Sequence, residues 1–369
     1  MSDTVVSSGN SVQQWADDEF YEYVRQNPLK PLMGTTENSV IQSKVELQEK
    51  PGTQITFSLI TEITGDGVSD DATLMGNEVQ LGNYAHAVTI HQQRQGVVVG
   101  KYESIKTKID LWEAAKTMLR LWNMAKLRDL FLARFLSPVI GGLTTYSAAT
   151  ETQKDAWDLQ NNPTAANQRI LFGAAKGNES ANDHSANLTN IDGTADDCHQ
   201  DIIGLMKRMA QSCSPHIRPV VTGGNTPGKE RFIALMGSLA FRDLLANFQT
   251  VLQNADVRGE DNNLFSSGDL LIGNVICKEI PEMDRALTDG GCLLENVGNG
   301  GTTEVEPVFF CGAQALLLAW GQTMKIHMDE WDYQNKRGVA VEEIRGCEKT
   351  TFNNFQHGMV TGYVSAVGD

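Results

Sequence analysis

Cysteine is scarce and scattered in this chain. Six occur in 369 residues, at positions 198, 213, 277, 292, 311 and 347, and no two form a C-x-x-C pair. A chain this long folds without covalent staples, so the six are expected to be reduced, ordinary residues. Also missing is any apolar run near the roughly 20 residues needed to cross a bilayer. The opening MSDTVVSSGN carries no basic segment leading into an apolar one, and the closing Ala-Val-Gly-Asp offers no cysteine for a lipid. The expectation is a soluble, unsecreted chain with no membrane partner. Basic side chains are the minority, 30 against 46 acidic, for a formal net charge of -16. Such a field favours solubility and opposes binding to a nucleic-acid duplex, which argues against DNA as a specific ligand.

Signatures of catalysis are missing too. Met236-Gly237-Ser238-Leu239 lacks the second glycine of a Gly-x-Ser-x-Gly elbow, and no local cysteine-histidine signature is present. Gly223-Gly224-Asn225-Thr226-Pro227-Gly228-Lys229 has the spacing of a phosphate loop. Glu230, however, stands where magnesium needs a Ser or Thr hydroxyl, and a carboxylate there would lie against phosphate oxygens. Residues 231–236 read as a strand, so no helix N-terminus would face the anion, and a hairpin turn fits better. Asp183-His184, Asp196-Asp197-Cys198-His199 and Cys213 with His216 offer zinc-type ligands. Neighbours on a helix point about 100 degrees apart, and His86, His91, His327 and His357 are remote in sequence. Asp196 and Asp197 are expected to cap a helix instead. Glu342-Glu343 and Asp329-Glu330 lie on strand-like runs, where adjacent side chains diverge, so neither pair shares a proton-transfer site. Solvent or a subunit contact is expected for them. No catalytic residue, metal site or cofactor is assigned.

What is present is uneven along the chain. A length of 369 residues suits two domains with arms, because a single core stops growing near roughly 250 to 300 residues. Residues 1–50 are polar, with aromatics at Trp15, Phe20, Tyr21 and Tyr23. They form either an extended arm anchored by those rings, or a small helical subdomain over Trp15 to Arg25 with Trp15, Glu19 and Glu22 at helical spacing. Asp110 opens the clearest helix, with Glu113 as a capping-box-like partner and Ser137-Pro138 followed by Gly141-Gly142 as the stop. At about 1.5 Å per residue it is roughly 40 Å long. Leu111, Ala115, Met118, Trp122 and Ala125 make an apolar stripe, widened by Leu130, Phe131, Phe135 and Leu136. Residues 101–136 hold eight Lys or Arg against four Asp or Glu, a local excess of +4. Lys116, Arg120, Lys126 and Arg128 are the candidates for a basic face turned to DNA, against the commoner solvated helix face.

Residues 144–195 show little periodicity and read as a connecting region with short elements. A second amphipathic helix over 195–213 uses Ile202, Ile203, Leu205, Met206 and Met209, with Thr194 or Asp196 as cap and Pro215 as stop. Strands are expected over 217–222, 231–236, 270–276 and 308–310, with a short helix from Ser238 to Ala246. An apolar helix from Ala313 to Trp320 follows, then strands from Lys325 to Trp331 and Val339 to Ile344. Val360, Tyr363 and Val364 mark a terminal strand. Such mixing is that of an α+β fold.

The most informative stretch is residues 61–94, a polar, glycine-punctuated loop set between two strand-like runs. Thr53 to Ile60 puts Ile55, Phe57 and Leu59 on one side and Gln54, Thr56 and Ser58 on the other, as in a half-buried strand. Between Gly65 and Gly82 the glycines at 65, 67, 76 and 82 and three aspartates favour turns and cannot build a core. Tyr84 to Gln93 returns with Val88 and Ile90 on one face, and Val97 to Val99 adds a short strand. Together they read as a long two-stranded projection whose loop docks on something else. T-G-D-G-V, then A-T-L-x-G-N-E, then V-T-I-x-Q-x-R resembles the E-loop signature of the N4-type podophage major capsid proteins. The resemblance continues through the helix from Asp110 to Ser137, and returns around Arg345-Gly346-Cys347-Glu348-Lys349, Phe352 and Gly358 to Val360. The middle third matches loosely.

That resemblance implies a Hong Kong 97-type capsid fold. The N-terminal arm would cover residues 1–50, the E-loop projection 51–100, the spine helix and first part of a peripheral domain 101–195, an axial domain 196–312, and the rest of the peripheral domain 313–369. The implied function is structural: homo-pentamers and hexamers tile an icosahedral shell around double-stranded DNA, which is touched only non-specifically. Gly65, Asp66, Gly67, Leu74, Gly76, Asn77 and Glu78 would make the intersubunit contact of the E-loop. The implied partners are a portal and a scaffolding protein, the latter expected as a separate chain, with decoration proteins left open. The implied location is the virion capsid, after assembly in the bacterial host cytoplasm. Two alternatives stand beside it: an encapsulin-like compartment shell, which shares the fold, and a metal- or nucleotide-dependent enzyme with its site in residues 194–230.

Overall fold

Three strands whose side chains alternate between two buried faces build the main core. The computed structural model describes residues 25, 27–46, 52–63, 67–70, 73–107, 109–138, 145–180, 182–222, 229–247, 265–266 and 269–368. In Lys229–Met236, Phe232, Ala234 and Met236 belong to one apolar layer and Ile233 and Leu235 to the other. Thr303–Cys311 divides likewise into Val308 and Phe310 against Phe309 and Cys311, and Met359–Ser365 into Val360 and Val364 against Met359 and Tyr363. A strand buried on both faces reads as a continuous apolar run.

The described strands of this sheet run in the order Ile170–Phe172, Met359–Ser365, Thr303–Cys311, Lys229–Met236, Val275–Glu279, Asp269–Ile272 and Phe265–Ser266. Leu294–Gly298 pairs beside Thr303–Cys311, and Val220–Thr222 beside Lys229–Met236. Lys229–Met236 and Val275–Glu279 are parallel, so a crossover joins them, and the helix Ser238–Asn247 lies in that connection. This helix and Gln200–Ser212 cover one face with Ala240, Phe241, Leu244, Ile202, Ile203, Met206 and Met209. The other face takes Phe131 and Phe135 of the long helix Leu111–Leu136, with Phe135 stacked on Phe309 at 5.3 Å. Antiparallel partners Val220–Thr222 and Lys229–Met236 flank the phosphate-loop-like residues, of which 223–228 lie outside the described set. Lys229 therefore begins a strand and not a helix.

By packing, the chain divides into two compact units, residues 28–91, 127–323 and 344–369 forming the larger and residues 1–27, 92–126 and 324–343 the smaller. A second sheet has the order Met33–Gly34, Ile41–Lys44, Leu316–Trp331, Lys336–Lys349, His91–Gly100. In the smaller unit Leu119 of the long helix packs on Val339 and Val341, with Trp112 and Ile326 at the edge. Leu111, Met118, Trp122 and Ala125 are only half-buried, so the packed stripe is Ala115 and Leu119 with Trp112, one step round from the expected one.

Several sequence expectations are corrected. The apolar run over 313–320 is the start of the strand Leu316–Trp331, with Leu316, Leu317, Leu318 and Ala319 all buried. A short run buried on every side has no period that separates helix from strand. The expected strand over 270–276 is a hairpin, Asp269–Ile272 with Val275–Glu279, turned by Gly273 and Asn274 at φ 53° and 70°. Two positive φ angles in a two-residue loop match the twist of the flanking strands. Residues 144–195 include an 11-residue helix, Glu151–Asn161, in which the Gln153 side chain accepts from Thr150 N at 3.0 Å. The second amphipathic helix starts at Gln200 after His199, not at Thr194 or Asp196. Asp196 instead accepts from Ala174 N at 2.6 Å and Asp192 N at 2.8 Å, joining three loop segments, and Asp197 accepts from Asn247 Nδ2 at 3.0 Å. Asp110 does cap the long helix, accepting from Trp112 N at 3.1 Å, while Glu113 pairs with Lys116 at 2.5 Å. Glu343 is buried within the subunit, where solvent or a subunit contact was expected, whereas Glu330 is exposed beside Arg337 at 2.9 Å. All six cysteines are buried, and none of them forms a disulfide. The alternative helix over Trp15 to Arg25 lies outside the described residues but for Arg25.

A buried carboxyl group completes this core. Glu306 is fully buried and its Oε2 accepts from Ala240 N at 3.1 Å, at the start of the helix Ser238–Asn247. Asp284 accepts from Ser238 N at 2.9 Å in the same place, and a Cβ on Gly237 would collide with both carboxylates. Burial first, and Asp284 second, push the Glu306 carboxyl up to about 8. The folded chain therefore holds a proton that the unfolded chain releases in the ordinary carboxyl range. Its contribution to stability is complete at low pH and is lost as pH rises through about 8. Glu306→Gln should flatten the fall in unfolding free energy between pH 5 and pH 8.5 by roughly a few kcal/mol, read by chemical denaturation at the two pH values.

Candidate functional site

Gln54–Ile60 and Asn83–Thr89 pair antiparallel, from Gln54 opposite Thr89 to Ile60 opposite Asn83, and make an arm. At its root Ile55, Phe57 and Val88 pack on Leu317 and Ala319, with Ile90 alongside. The Lys44 ammonium lies 4.5 Å from the centre of the Phe57 ring. The expected continuation of this strand through Gln93 breaks at Ile90, whose N donates to Thr53 O at 3.1 Å, and His91–Gly100 joins the second sheet.

The socket for this root is the segment Arg345-Gly346-Cys347-Glu348-Lys349. A Cβ on Gly346 would collide with Thr89 O, so the two backbones approach more closely than any other residue allows. Glu348 Oε2 lies 3.1 Å from His86 Nε2, and its Oε1 accepts from Thr89 N at 3.3 Å. The His86 ring meets Phe352 edge-on at 6.2 Å. Arg345, Cys347, Glu348 and Lys349 are all buried, and the Lys349 ammonium sits 5.1 Å above the Trp157 ring. Burial pushes that amine down to about 7, opposed by Cys311.

Away from the root the arm carries its apolar side chains outward. Thr61 N donates to Gly82 O at 3.0 Å and closes the stem. Leu74, Gly76, Asn77 and Glu78 share one turn: Asn77 N donates to Leu74 O at 2.9 Å, and Gly76 N to Glu78 Oε2 at 2.7 Å. Asn77 Nδ2 donates to Thr73 O at 2.8 Å, and Gly76 has φ 91°. The turn is thus held by its own atoms. Gly67, at φ 70°, stands apart from it, and Gly65 and Asp66 lie outside the described residues. Ile60, Ile63, Leu74, Met75, Val79, Leu81 and Tyr84 are exposed, Met75 by 85%.

The four basic candidates on the long helix do not form one exposed face. Arg128 is only 3% exposed, bonded to Asp129 at 2.9 Å and to Glu282 at 3.0 Å. A buried guanidinium needs such partners, so Arg128 is a core residue rather than a contact for DNA. Lys116 is half-buried, paired with Glu113 and 4.3 Å from the Trp112 ring. Arg120 and Lys126 are exposed.

Other polar clusters hold segments together. His184 Nδ1 lies 2.9 Å from Asp158 Oδ2, and its Nε2 lies 2.8 Å from the Tyr146 hydroxyl, with all three side chains buried. Burial, reinforced by Glu151 and Asp158, raises the Tyr146 hydroxyl far above the ordinary tyrosine range. That chain of contacts links the helices Glu151–Asn161 and His184–Thr189. Arg169 bonds the carbonyls of Gln356 and Pro215, and His357, buried beside Arg169, is pushed down to about 4. Sequence reasoning placed Asp183-His184 among metal candidates and missed Tyr146 and Asp158, which are 26 or more positions away. Among the described residues no three His, Cys, Asp or Glu side chains gather as metal ligands, and no helix is long and apolar enough to cross a membrane.

A firmly rooted arm with an apolar, self-contained tip defines a protein of assembly. The chain belongs to the phage capsid protein family, whose model matches residues 3–364. It is 25% identical over 357 residues to the major capsid protein of Pseudomonas phage KPP25, covering 92% of this chain and 90% of that protein. The capsid asymmetric unit of cyanophage Pam1 superposes with a TM-score of 0.88 at 31% identity, with both chains covered completely. The capsid of Ralstonia phage GP4, at 22% identity, TM-score 0.74 and coverage of 100% and 99%, shares the fold. The fold is thus of the Hong Kong 97 type, and the protein is a major capsid protein that forms the phage head shell, not an enzyme. Both of these solved structures are phage capsids.

The socket yields a direct test. Gly346→Ala must push the Thr89 carbonyl away, and overpacking of this kind costs about 1–3 kcal/mol. The melting temperature of the unassembled chain should fall by several degrees, as read by calorimetry.

Proposed function

We propose that the arm over 52–89 is the E-loop, and that it lies across a neighbouring copy to build pentamers and hexamers of the head shell. The observation that carries this is the row of exposed apolar side chains from Ile60 to Tyr84 on an arm whose root is buried. Surface apolar residues are ordinary when scattered, but a concentration on one projecting element marks a contact surface. Leu74, Gly76, Asn77 and Glu78 would present the contact as one preformed turn, with Gly65, Asp66 and Gly67 beside them in sequence. Contacts of this head-to-tail kind close into rings where the rotation fits.

The finer organisation is proposed with it. Residues 196–312 would form the axial domain and residues 101–195 with 313–369 the peripheral one, behind an N-terminal arm over 1–50. A separate scaffolding chain and a portal would serve assembly in the host cytoplasm, and decoration proteins would be an optional addition. Double-stranded DNA would be touched non-specifically, through Arg120, Lys126 and Lys116 rather than Arg128. The motifs that resemble N4-type podophage capsids support placing the chain in that subgroup.

Negative-stain microscopy and sedimentation of the chain, made together with its scaffolding protein, test the proposal. Closed shells, capsomer rings or tubes of megadalton mass are expected. The triple variant Leu74→Ser, Met75→Ser, Leu81→Ser should melt within about 0.5 kcal/mol of wild type, because it changes only exposed positions, yet remain unassembled. Assembly of the triple variant at wild-type yield would remove the arm tip from the contact.

A further inference from the structure

We infer that Glu348 is the positioning residue of the arm: through His86 and the Thr89 amide it sets the direction in which the hairpin leaves its socket. The inference rests on the assembly role proposed for the arm. Three kinds of contact hold the root. Apolar packing of Ile55, Phe57 and Val88 on Leu317 and Ala319 is non-directional and permits rocking. The close approach at Gly346 fixes a distance at one point, Thr89. Glu348 meets the same strand at two points: its Oε1 accepts from the backbone amide at position 89, a bond that depends on angle, and its Oε2 stands 3.1 Å from the side-chain Nε2 at position 86.

Glu348 is 6% exposed, so its carboxylate has little water to fall back on if either contact is lost. The surrounding charges are otherwise engaged. Lys349, next in the strand, lies over Trp157, and Lys44 lies over Phe57, the residue directly opposite His86. His357, beyond Phe352 at 5.4 Å, is held neutral by burial near Arg169. From His86 outward, Ala85, Tyr84 and Asn83 pair only with Ser58, Leu59 and Ile60 of the arm itself. The arm is a lever, and a small angular error at Glu348 grows along it. In a shell, where one take-off angle is repeated in every subunit, that error becomes an error of curvature.

Hydrogen exchange of the unassembled chain and microscopy of the shells test this together. Glu348→Ala should speed exchange of amides in residues 83–90 by about tenfold, the size of a lost hydrogen bond to a charged group. Glu348→Gln keeps an acceptor for Thr89 N and should restore most of that protection. Shells of Glu348→Ala should be mixed in diameter, and those of Glu348→Gln close to uniform. His86→Ala, which leaves Glu348 on Thr89, is the second variant if Glu348→Ala does not fold, and should show a smaller rise in exchange and a narrower spread. Unchanged exchange over 83–90 in these variants overturns the inference. So does faster exchange with uniform shells, which would leave the arm as an interface whose angle is set elsewhere. Failure of the wild-type chain to assemble would instead sink the proposed function, and the exchange data would then judge the Glu348 contact by itself.

Discussion

The approach of two backbones at Gly346 and Thr89 is the constraint on which the larger unit's projecting arm depends. No side chain fits between them, so the strand Asn83–Thr89 lies directly against the socket segment. Once they are that close, the Thr89 amide faces a buried region and needs an acceptor, which Glu348 supplies. The same carboxylate then meets His86, whose ring lies edge-on to Phe352. A contact made possible by the absence of one methyl group thereby decides the placement of several side chains more than 250 positions apart in sequence.

The core beneath it follows a different logic. Its strands are buried on both faces, so their order is set by pairing and their tolerance by volume. Polar groups inside it brace their own neighbourhoods. Glu306 and Asp284 meet at one helix start, Arg169 reaches across three segments, and Asp158, His184 and Tyr146 form a line between two helices. Such networks look like catalytic constellations when seen as residue types. Their geometry is that of braces, since the hydrogen bonds they make run to the backbone or side chain of another structural segment.

Much of this architecture was legible in the sequence where a period was clean. Ile55 and Phe57 announced a strand, Asp110 announced a helix start, and Val360, Tyr363 and Val364 announced the terminal strand. Legibility failed where burial was complete on all sides, as in Leu316 to Ala319, and where a turn needed φ angles that composition only hints at, as in Gly273 and Asn274. The arm was visible as an alternating run followed by glycines and aspartates. Its socket was visible only as a family resemblance, because Gly346 and Glu348 act on residues that no local pattern connects to them. Arg128 was misjudged for a related reason: its charge is apparent in sequence, but the Glu282 that neutralises it is 154 positions away.

The six buried thiols carry a consequence for the particle as a whole. Burial raises the thiols of Cys198, Cys292 and Cys311 far above the ordinary range, and pushes Cys347, within the socket strand, up to about 12. The thiolate is the form that oxidants and disulfides attack, and at such values almost none is present. A head built of this subunit therefore presents oxidants with buried, protonated thiols at these four positions rather than with reactive thiolates.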